Sequence, residues 1–501
     1  MFTKILIANR GEIAVRIIRA CREMGIATVA VYSEVDQQAL HVRLADEAVF
    51  IGPAPATESY LSTENIIQAA KKGGAQAIHP GYGFLSENAA FSQAVRDAGL
   101  TFIGPPTQAI QAMGDKAKAR TRMQSANVPV VPGYQGDDAL ENLRHEANRI
   151  GFPVLVKAAA GGGGKGMRVL WSQDELDEAV AAARREALHA FGDEHLILEC
   201  YVPRARHVEF QILADQHGKT LHLFERECSV QRRHQKIIEE TPSPLLNEEL
   251  RTQMGATAVA AAQAVGYQNA GTIEFIVDPD RKEFYFLEMN TRLQVEHPIT
   301  EMVTGLDIVQ WQIRIAAGEP LPMTQDELHQ RGHAIECRLY AEDPSNNFLP
   351  ATGPLLRFHE PKGPGVRVDS GYSSGDEISI HYDPLIAKVI TYAENRTAAI
   401  RKMQSTLKET VLLGLTTNWQ FLQEVLADPE FGDGQVYTTW VEDNFEGWQP
   451  PQCELPPEVL IAAALTQFQT SDSSDPKISA VKLSQDPYSP WRVANGFRIS
   501  E

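Results

Sequence analysis

From residue 1 to about 115, short apolar runs alternate with helical patterns, and no other feature restricts the possible folds as much. The runs are Ile5 to Ala8, Thr28 to Tyr32, Ala77 to His79 and Thr101 to Ile103; helical patterns begin at Ile13, after Thr63 and after Asn88. Strands separated by helices are joined by crossovers, not tight turns, so a parallel, doubly wound α/β sheet is expected. Gly11 follows the first strand and Gly81-Tyr82-Gly83 the third, where such sheets place ligand-contacting loops. The first strand is not followed by G-x-G-x-x-G, so a dinucleotide cofactor is not indicated.

The pattern then changes. Domain boundaries are expected at 1–114, 115–330, 331–446 and 447–501, with a smaller segment at about 131–203 inside the second. That segment holds Val154-Leu155-Val156-Lys157 and a glycine run between Pro129, Pro132 and Pro203. The third part is β-rich, from His333-Ala334-Ile335-Glu336-Cys337-Arg338 through turns near Gly363, Gly371 and Gly375. The last part joins a proline-rich stretch, Pro450 to Pro457, to an apolar or amphipathic helix, Glu458 to Phe468, and a polar linker.

Chemistry concentrates at Glu288-Met-Asn-Thr-Arg-Leu-Gln-Val-Glu-His-Pro298, directly after the apolar run Phe284 to Leu287. On a strand, Glu288 and Asn290 point the same way about 7 Å apart, a spacing that bound cations can bridge. A straight strand from Glu288 to Glu296 would be about 26 Å long, so a bend near Asn290 is expected. His297-Pro298 marks where regular structure is expected to stop. The run Thr272 to Val277 and the turn Asp278 to Lys282 predict a hairpin with Glu283 to Asn290, placing Glu274 almost opposite Glu288. Two facing carboxylates repel; a hard divalent cation between them removes the conflict and accepts phosphate oxygens on its far side.

A formal net charge of −19 argues against nucleic acid or an anionic membrane as partner. The five cysteines, Cys21, Cys200, Cys228, Cys337 and Cys453, are scattered without metal-ligand spacing, which fits a reducing compartment. Structure is expected from Lys4 onward, and no apolar run approaches the ~20 residues that span a bilayer. A soluble cytoplasmic protein is the expectation.

An anionic ligand would need local positive charge. Gly161 to Gly164, Lys165, Gly166 and Met167 form a glycine loop after a strand ending in Lys157; bare backbone amides can approach phosphates closely. The loop lacks the Lys-Ser/Thr pair of a Walker loop, and linkers are also glycine-rich. Lys157 closes an apolar strand and needs an anionic partner or solvent; Lys116 could serve likewise, but a lone lysine at a helix start is more often a plain surface charge. Gln231-Arg232-Arg233-His234-Gln235-Lys236 is the densest basic patch of an acidic chain and favours anion binding over a solvated face. His207 and His234 fit ribose or phosphate contacts or structural roles. Arg338, in an apolar-flanked strand, fits an oxyanion contact or a structural ion pair.

Six ordered segments resemble the biotin carboxylase component of biotin-dependent acyl-CoA carboxylases, an ATP-grasp enzyme. They are Ile7 to Ala14, His79 to Asn88, Gly161 to Met167, Arg232 to Lys236, Glu288 to Pro298 and Tyr382-Asp383-Pro384-Leu385, and together they cover residues 1 to about 445. The resemblance implies an N-terminal doubly wound sheet, an ATP-grasp domain with a small glycine-loop lid and a C-terminal β-rich domain. It implies that ATP phosphorylates bicarbonate to carboxyphosphate, which yields CO2 to N1 of biotin on a biotin carboxyl carrier protein. By the same resemblance Lys116, Lys157, Gly161, Gly162, Gly163, Gly164, Gly166, Met167, Glu199, His207, Gln231 and His234 bind ATP. Glu274, Glu288 and Asn290 hold Mg2+ or Mn2+; Lys236 contacts phosphate; Arg292, Gln294 and the Val295 backbone hold bicarbonate. Glu296 is the base and Arg338 stabilises the biotin enolate. A homodimer and a carboxyltransferase partner are implied too.

Three departures bear on this. Cys200 stands where the family commonly has lysine, which affects adenine-side contacts and not the chemistry. The turn at Asp278 to Lys282 is somewhat long. No Ala-Met-Lys-Met occurs, so biotin is expected on another protein or domain, and Pro487 to Ile499 resembles the start of the domain that links this component to its carboxyltransferase. The competing readings are another ATP-grasp carboxylate-amine ligase, a pyruvate carboxylase fragment, and a non-catalytic nucleotide-binding scaffold.

Overall fold

The computed structural model describes residues 1–158, 167–191, 193–451 and 456–470, with the backbone alone at 116, 117, 190, 191 and 467–470. The chain divides into two units, Met1–Gln449 and Pro450–Glu501. The described part of the second contains the helix Pro457–Thr470, on which Val459, Leu460, Ile461 and Leu465 are exposed.

In the first unit, β1 (Lys4–Ile7), β2 (Ala27–Ser33), β3 (Glu47–Gly52), β4 (Ala77–His79) and β5 (Thr101–Phe102) form a parallel sheet in the order β3-β2-β1-β4-β5. The expected doubly wound sheet is present, with β3 as an additional edge strand. Order reverses at β1, so the loops after β1 and β4 lie side by side. Asn9 joins them, its Nδ2 donating to the carbonyls of Pro80 and Tyr82, both at 2.7 Å. Gly81, at φ +64°, is required here: a Cβ would lie 2.9 Å from Asn9 Nδ2. Helices start where short polar side chains cap them: Ser62 accepts from Asn65 N and Asn88 from Phe91 N.

A four-stranded sheet, β6 (Gly133–Tyr134), β7 (Val154–Ala158), β8 (Arg168–Leu170) and β9 (Leu196–Cys200), runs in the order β6-β9-β7-β8. Its apolar core includes Leu143 of the helix Leu140–Ile150 and Val180 of the helix Leu176–Phe191. Just ahead of β6, Pro129 O accepts from Phe286 N at 2.7 Å, which ties this part of the chain to the strand Glu283–Asn290.

The largest sheet has eight strands. They are β10 (Arg206–Ala214), β11 (Thr220–Arg232), β12 (Gln235–Thr241), β13 (Asn269–Asp278), β14 (Glu283–Asn290), β15 (His333–Tyr340) and, beyond the short β16 (Glu342–Asp343), β17 (Leu349–Pro350), β18 (Gly353–Pro354) and β19 (Arg357–His359), the strands β20 (Val366–Ser370) and β22 (Leu385–Ala393). The remaining β21 (Glu377–Ile378) and β23 (Val411–Leu413) pair with β18 and β19. Sheet order is β14-β13-β10-β11-β12-β15-β22-β20, continuous across residue 330 through the antiparallel β12–β15 pair.

Period-two alternation explains both faces of this sheet. Val208, Phe210 and Ile212 pack under the helix Glu248–Ala264, and Ile335, Cys337 and Leu339 under the helix Arg396–Glu409. Between them alternate His207, Glu209, Gln211, Glu336 and Arg338, all buried and polar. A sheet that buries so many ionisable groups on one face is arranged around polar chemistry.

Candidate active site

The β13–β14 hairpin forms in the expected register, with Glu274 opposite Glu288 and a bulge just after Glu274. Strand β14 ends at Asn290, the expected bend. Regular structure does not stop at His297-Pro298, however: a helix, His297–Thr304, starts there. Proline in the first turn of a helix removes an N–H that has no intrahelical acceptor, so Pro298 opens the element instead of closing one. Glu296 is the residue just before this helix and is fully buried.

Lys236, on β12, reaches into the centre of the site. Its Nζ lies 2.6 Å from Glu209 Oε2, 2.9 Å from Glu274 Oε1 and 2.7 Å from Glu296 Oε1. Arg338 Nη2 lies 2.9 Å from the other Glu296 oxygen and also contacts Glu239, to which Nε donates at 2.6 Å. Burial alone would raise the Glu296 carboxyl, but Lys236, Arg338 and Arg226 outweigh it and hold Glu296 well below the usual carboxylate range. Burial alone would lower Lys236; the three carboxylates hold it well above the usual lysine range.

Arg292 is fixed by three neighbours: Nε donates to Glu87 Oε2 at 2.8 Å, Nη1 to Gln294 Oε1 at 2.8 Å and Nη2 to Asn290 Oδ1 at 3.0 Å. Gln294 and Asn290 in turn donate to Glu274 Oε1. The Val295 carbonyl accepts from Lys388 Nζ at 2.8 Å, and Lys388, fully buried, pairs with Glu12 at 3.2 Å. Tyr82 OH donates to the same Glu12 oxygen, so the helix Gly11–Glu23 and the loop after β4 reach the segment carrying Glu296.

For a divalent cation the donor set is suitable: ligand atoms of His207, Glu209 and Glu274 lie within 4.8 Å of one another, and Glu274 and Glu288 face each other across the hairpin. His207 Nε2 is 3.0 Å from Glu274 Oε2. Burial would raise Glu274, but Lys236 and His207 push it far below its usual value, so it stays ionised.

Of the nucleotide candidates, Lys157 and Glu199 meet at 2.5 Å across β7 and β9, with Arg120 3.3 Å from the other Glu199 oxygen. Gln231 and His234 share the β11–β12 hairpin with Lys236; Gln231 is buried and His234 exposed at the turn. Met167 is exposed. Lys116 begins the helix Lys116–Ser125, but its side chain lies outside the described residues, as do Gly161, Gly162, Gly163, Gly164 and Gly166. Cys200 is buried at the end of β9.

Glu87, Glu209, Glu239 and Lys388 also belong to the site, and sequence reasoning did not assign them roles. One signal was available: His207, Glu209 and Gln211 recur at every second position of an otherwise apolar run, which marks a polar sheet face.

The chain matches three family models: "Biotin carboxylase, N-terminal domain" over residues 1–110, "Carbamoyl-phosphate synthase L chain, ATP binding domain" over 115–324 and "Biotin carboxylase C-terminal domain" over 336–443. It is 50% identical over 501 residues to the mitochondrial methylcrotonoyl-CoA carboxylase subunit alpha of Mus musculus, covering 99% of this chain and 69% of that protein. It is 50% identical to the propionyl-CoA carboxylase alpha chain of Ruegeria pomeroyi, covering 93% and 72%. Among solved structures it is similar to the biotin carboxylase domain dimer of Hydrogenobacter thermophilus 2-oxoglutarate carboxylase, crystallised with MgADP, ADP and bicarbonate. That likeness has a TM-score of 0.82 at 47% identity and covers 90% of this chain and 100% of the other. Among the described residues, no helix is long and apolar enough to cross a membrane.

Proposed function

This chain belongs to the biotin carboxylases, ATP-dependent ligases of biotin-dependent carboxylases, and from that premise we propose how its site performs ATP- and bicarbonate-dependent carboxylation of biotin. The observation that carries the assignment is Glu296, buried between Lys236 and Arg338 and two residues from Gln294, which is bonded to Arg292. A general base, a phosphate-seeking ammonium and a guanidinium suited to a developing oxyanion share one carboxylate.

Arg292 binds bicarbonate with Gln294 and the Val295 backbone, its orientation already set by Glu87 and Asn290. Glu296 removes the bicarbonate proton. While Lys236 and Arg338 both contact Glu296 it is a weak base; a phosphate that draws Lys236 away strengthens it, so the base gains power when nucleotide is in place. Lys236 then stabilises charge on the transferring phosphoryl group, and Arg338 the enolate of biotin. Glu274, Glu288 and Asn290 would hold Mg2+ or Mn2+, which when bound neutralises the phosphates being separated. Lys116, Lys157, Glu199, His207, Gln231, His234, Met167 and the 161–166 glycines are assigned to ATP, with residues 131–203 as a lid that keeps water from the labile intermediate.

The same reading divides the chain at 1–114, 115–330, 331–446 and 447–501, the last as a connecting segment. It makes a biotin carboxyl carrier and a carboxyltransferase subunit the partners and a homodimer the working unit. We propose the cytoplasm as its compartment, which the charge and cysteine pattern fit; the mouse relative is a mitochondrial protein.

The test is bicarbonate-dependent ATP hydrolysis by the purified chain with Mg2+, with and without free biotin. Hydrolysis that requires bicarbonate and rises with biotin is expected. Phosphate release stimulated by an amine and not by biotin would move the chain to the carboxylate-amine ligases.

A further inference from the structure

Glu239 and Glu336 are directly opposite each other on the antiparallel strands β12 and β15. Opposed residues place their Cβ atoms about 5 Å apart. Both carboxyls are fully buried, and among the described residues neither Glu336 oxygen nor Glu239 Oε2 has a hydrogen-bond partner. Glu239 Oε1 alone is engaged, by Arg338. Three orphaned carboxyl oxygens in a dry interior are too costly to leave so, and two adjacent buried carboxylates cannot both ionise. One proton between the two side chains removes a charge and engages two of the three oxygens.

We propose that Glu336 is a neutral acid that donates to Glu239 Oε2, and that this acid–carboxylate pair is the positioning device for Arg338. The charges around it favour this assignment. Glu239 faces Arg338 and needs its negative charge; Glu336 faces Glu239 on β12, Arg338 on its own strand, Lys388 on β22 and Glu296 just before the helix His297–Thr304. Burial pushes Glu336 far above the usual carboxylate range, Lys388 opposes it, and Glu239 adds to it. Protonated Glu336 thereby fixes the Glu239 carboxylate in one rotamer, and the Glu239 oxygen in turn fixes both Arg338 nitrogens that reach it. Arg338 Nη2 can then bridge to Glu296. Neither glutamate contacts substrate; both act through Arg338.

The catalytic part rests on the biotin carboxylase reading above, whereas the proton assignment does not. Infrared difference spectra of wild type against Glu336→Gln, recorded on the full chain at neutral pH, are expected to show a protonated-carboxyl stretch belonging to Glu336. No such band would overturn the proposal, whatever the chain catalyses. Glu336→Ala cannot donate to Glu239, and it is expected to lower kcat for biotin carboxylation about tenfold with the KM for ATP unchanged. Glu336→Gln, whose amide can donate to Glu239, is expected to recover most of that loss and to be insensitive to pH where wild type loses activity on the alkaline side. Equal loss in both folded variants would refute the positioning role. The band together with a wild type lacking bicarbonate-dependent turnover would uphold the shared proton and sink the catalytic reading.

Discussion

Lys236 shows how much of this site is set by single side chains. One ammonium satisfies Glu209, Glu274 and Glu296, two of which are fully buried. Removing a partner from a buried ionic cluster costs about 3–5 kcal/mol, because the remaining charges are left uncompensated. Lys236→Gln is therefore expected to lower stability by about that amount in urea titration and to reduce bicarbonate-dependent ATP hydrolysis by about a hundredfold or more. Unchanged turnover would remove Lys236 from phosphate stabilisation. Glu288 poses the opposite case. It sits half-buried near the end of β14, outside the apolar clusters, so Glu288→Gln should leave the fold intact. If it holds a cation, the concentration of Mg2+ or Mn2+ needed for half-maximal activity rises steeply; an unaltered metal titration would end that assignment.

At the scale of elements, the β11–β12 hairpin is the most constrained piece. Its two turn residues, Arg233 at φ +47° and His234 at φ +67°, are left-handed, a conformation that glycine and asparagine adopt at less cost. The turn is held from outside: Glu442 accepts from Arg233 N at 2.6 Å, Asn347 from Arg233 Nη2 at 2.8 Å, and Arg232 stacks 4.1 Å over Phe348. Strain at a non-glycine turn persists only where its surroundings over-determine it. Since Gln231 and His234 are assigned to nucleotide on this hairpin, Glu442→Ala is expected to raise the KM for ATP about fivefold while kcat changes little, as measured by steady-state kinetics. A fall in kcat at constant KM would place the effect elsewhere. Legibility also divided along element lines. The β-α rhythm and the β13–β14 register could be read directly, because a buried strand must be apolar and a hairpin turn fixes pairing. Strand β3 escaped because it is a solvent-facing edge, with Phe50 56% exposed. Pro298 read as a stop because a proline boundary has two sides, and local sequence does not say which one carries the helix. Glu87 and Glu239 were invisible for a different reason: each joins the site through partners 205 and 99 residues away, a relation that tertiary structure alone creates.

Across the whole molecule the buried carboxyls fall into two sets with opposite responses to pH, and their balance predicts where the protein is most stable. Burial would raise Glu240 and Glu301, but His333 with Arg396 in one case, and Arg16 with His297 and Arg367 in the other, bring each down to about 2 from 4.5. A carboxyl depressed in the folded state adds stability that is present above its unfolded value and is lost as pH falls through the folded one. These two contributions therefore disappear from about pH 4.5 down to about 2. Glu336, raised well above 4.5 by burial and by Glu239 against the pull of Lys388, behaves in reverse. Its native protonation is favourable below about 4.5, and the advantage is lost as pH rises from there through the folded value. The net charge of −19 at pH 7 acts in the same direction, since self-repulsion grows as carboxyls ionise. The thermal unfolding midpoint is thus expected to peak on the acidic side of neutrality, at about pH 4.5 where the two windows meet, and to decline both ways. Glu336→Gln removes one of the groups responsible for the alkaline decline, so its midpoint should fall less between pH 6 and 9 than that of the wild type. Scanning calorimetry over that range at low protein concentration decides the matter: parallel curves for the two proteins would mean that Glu336 ionises normally in the folded chain.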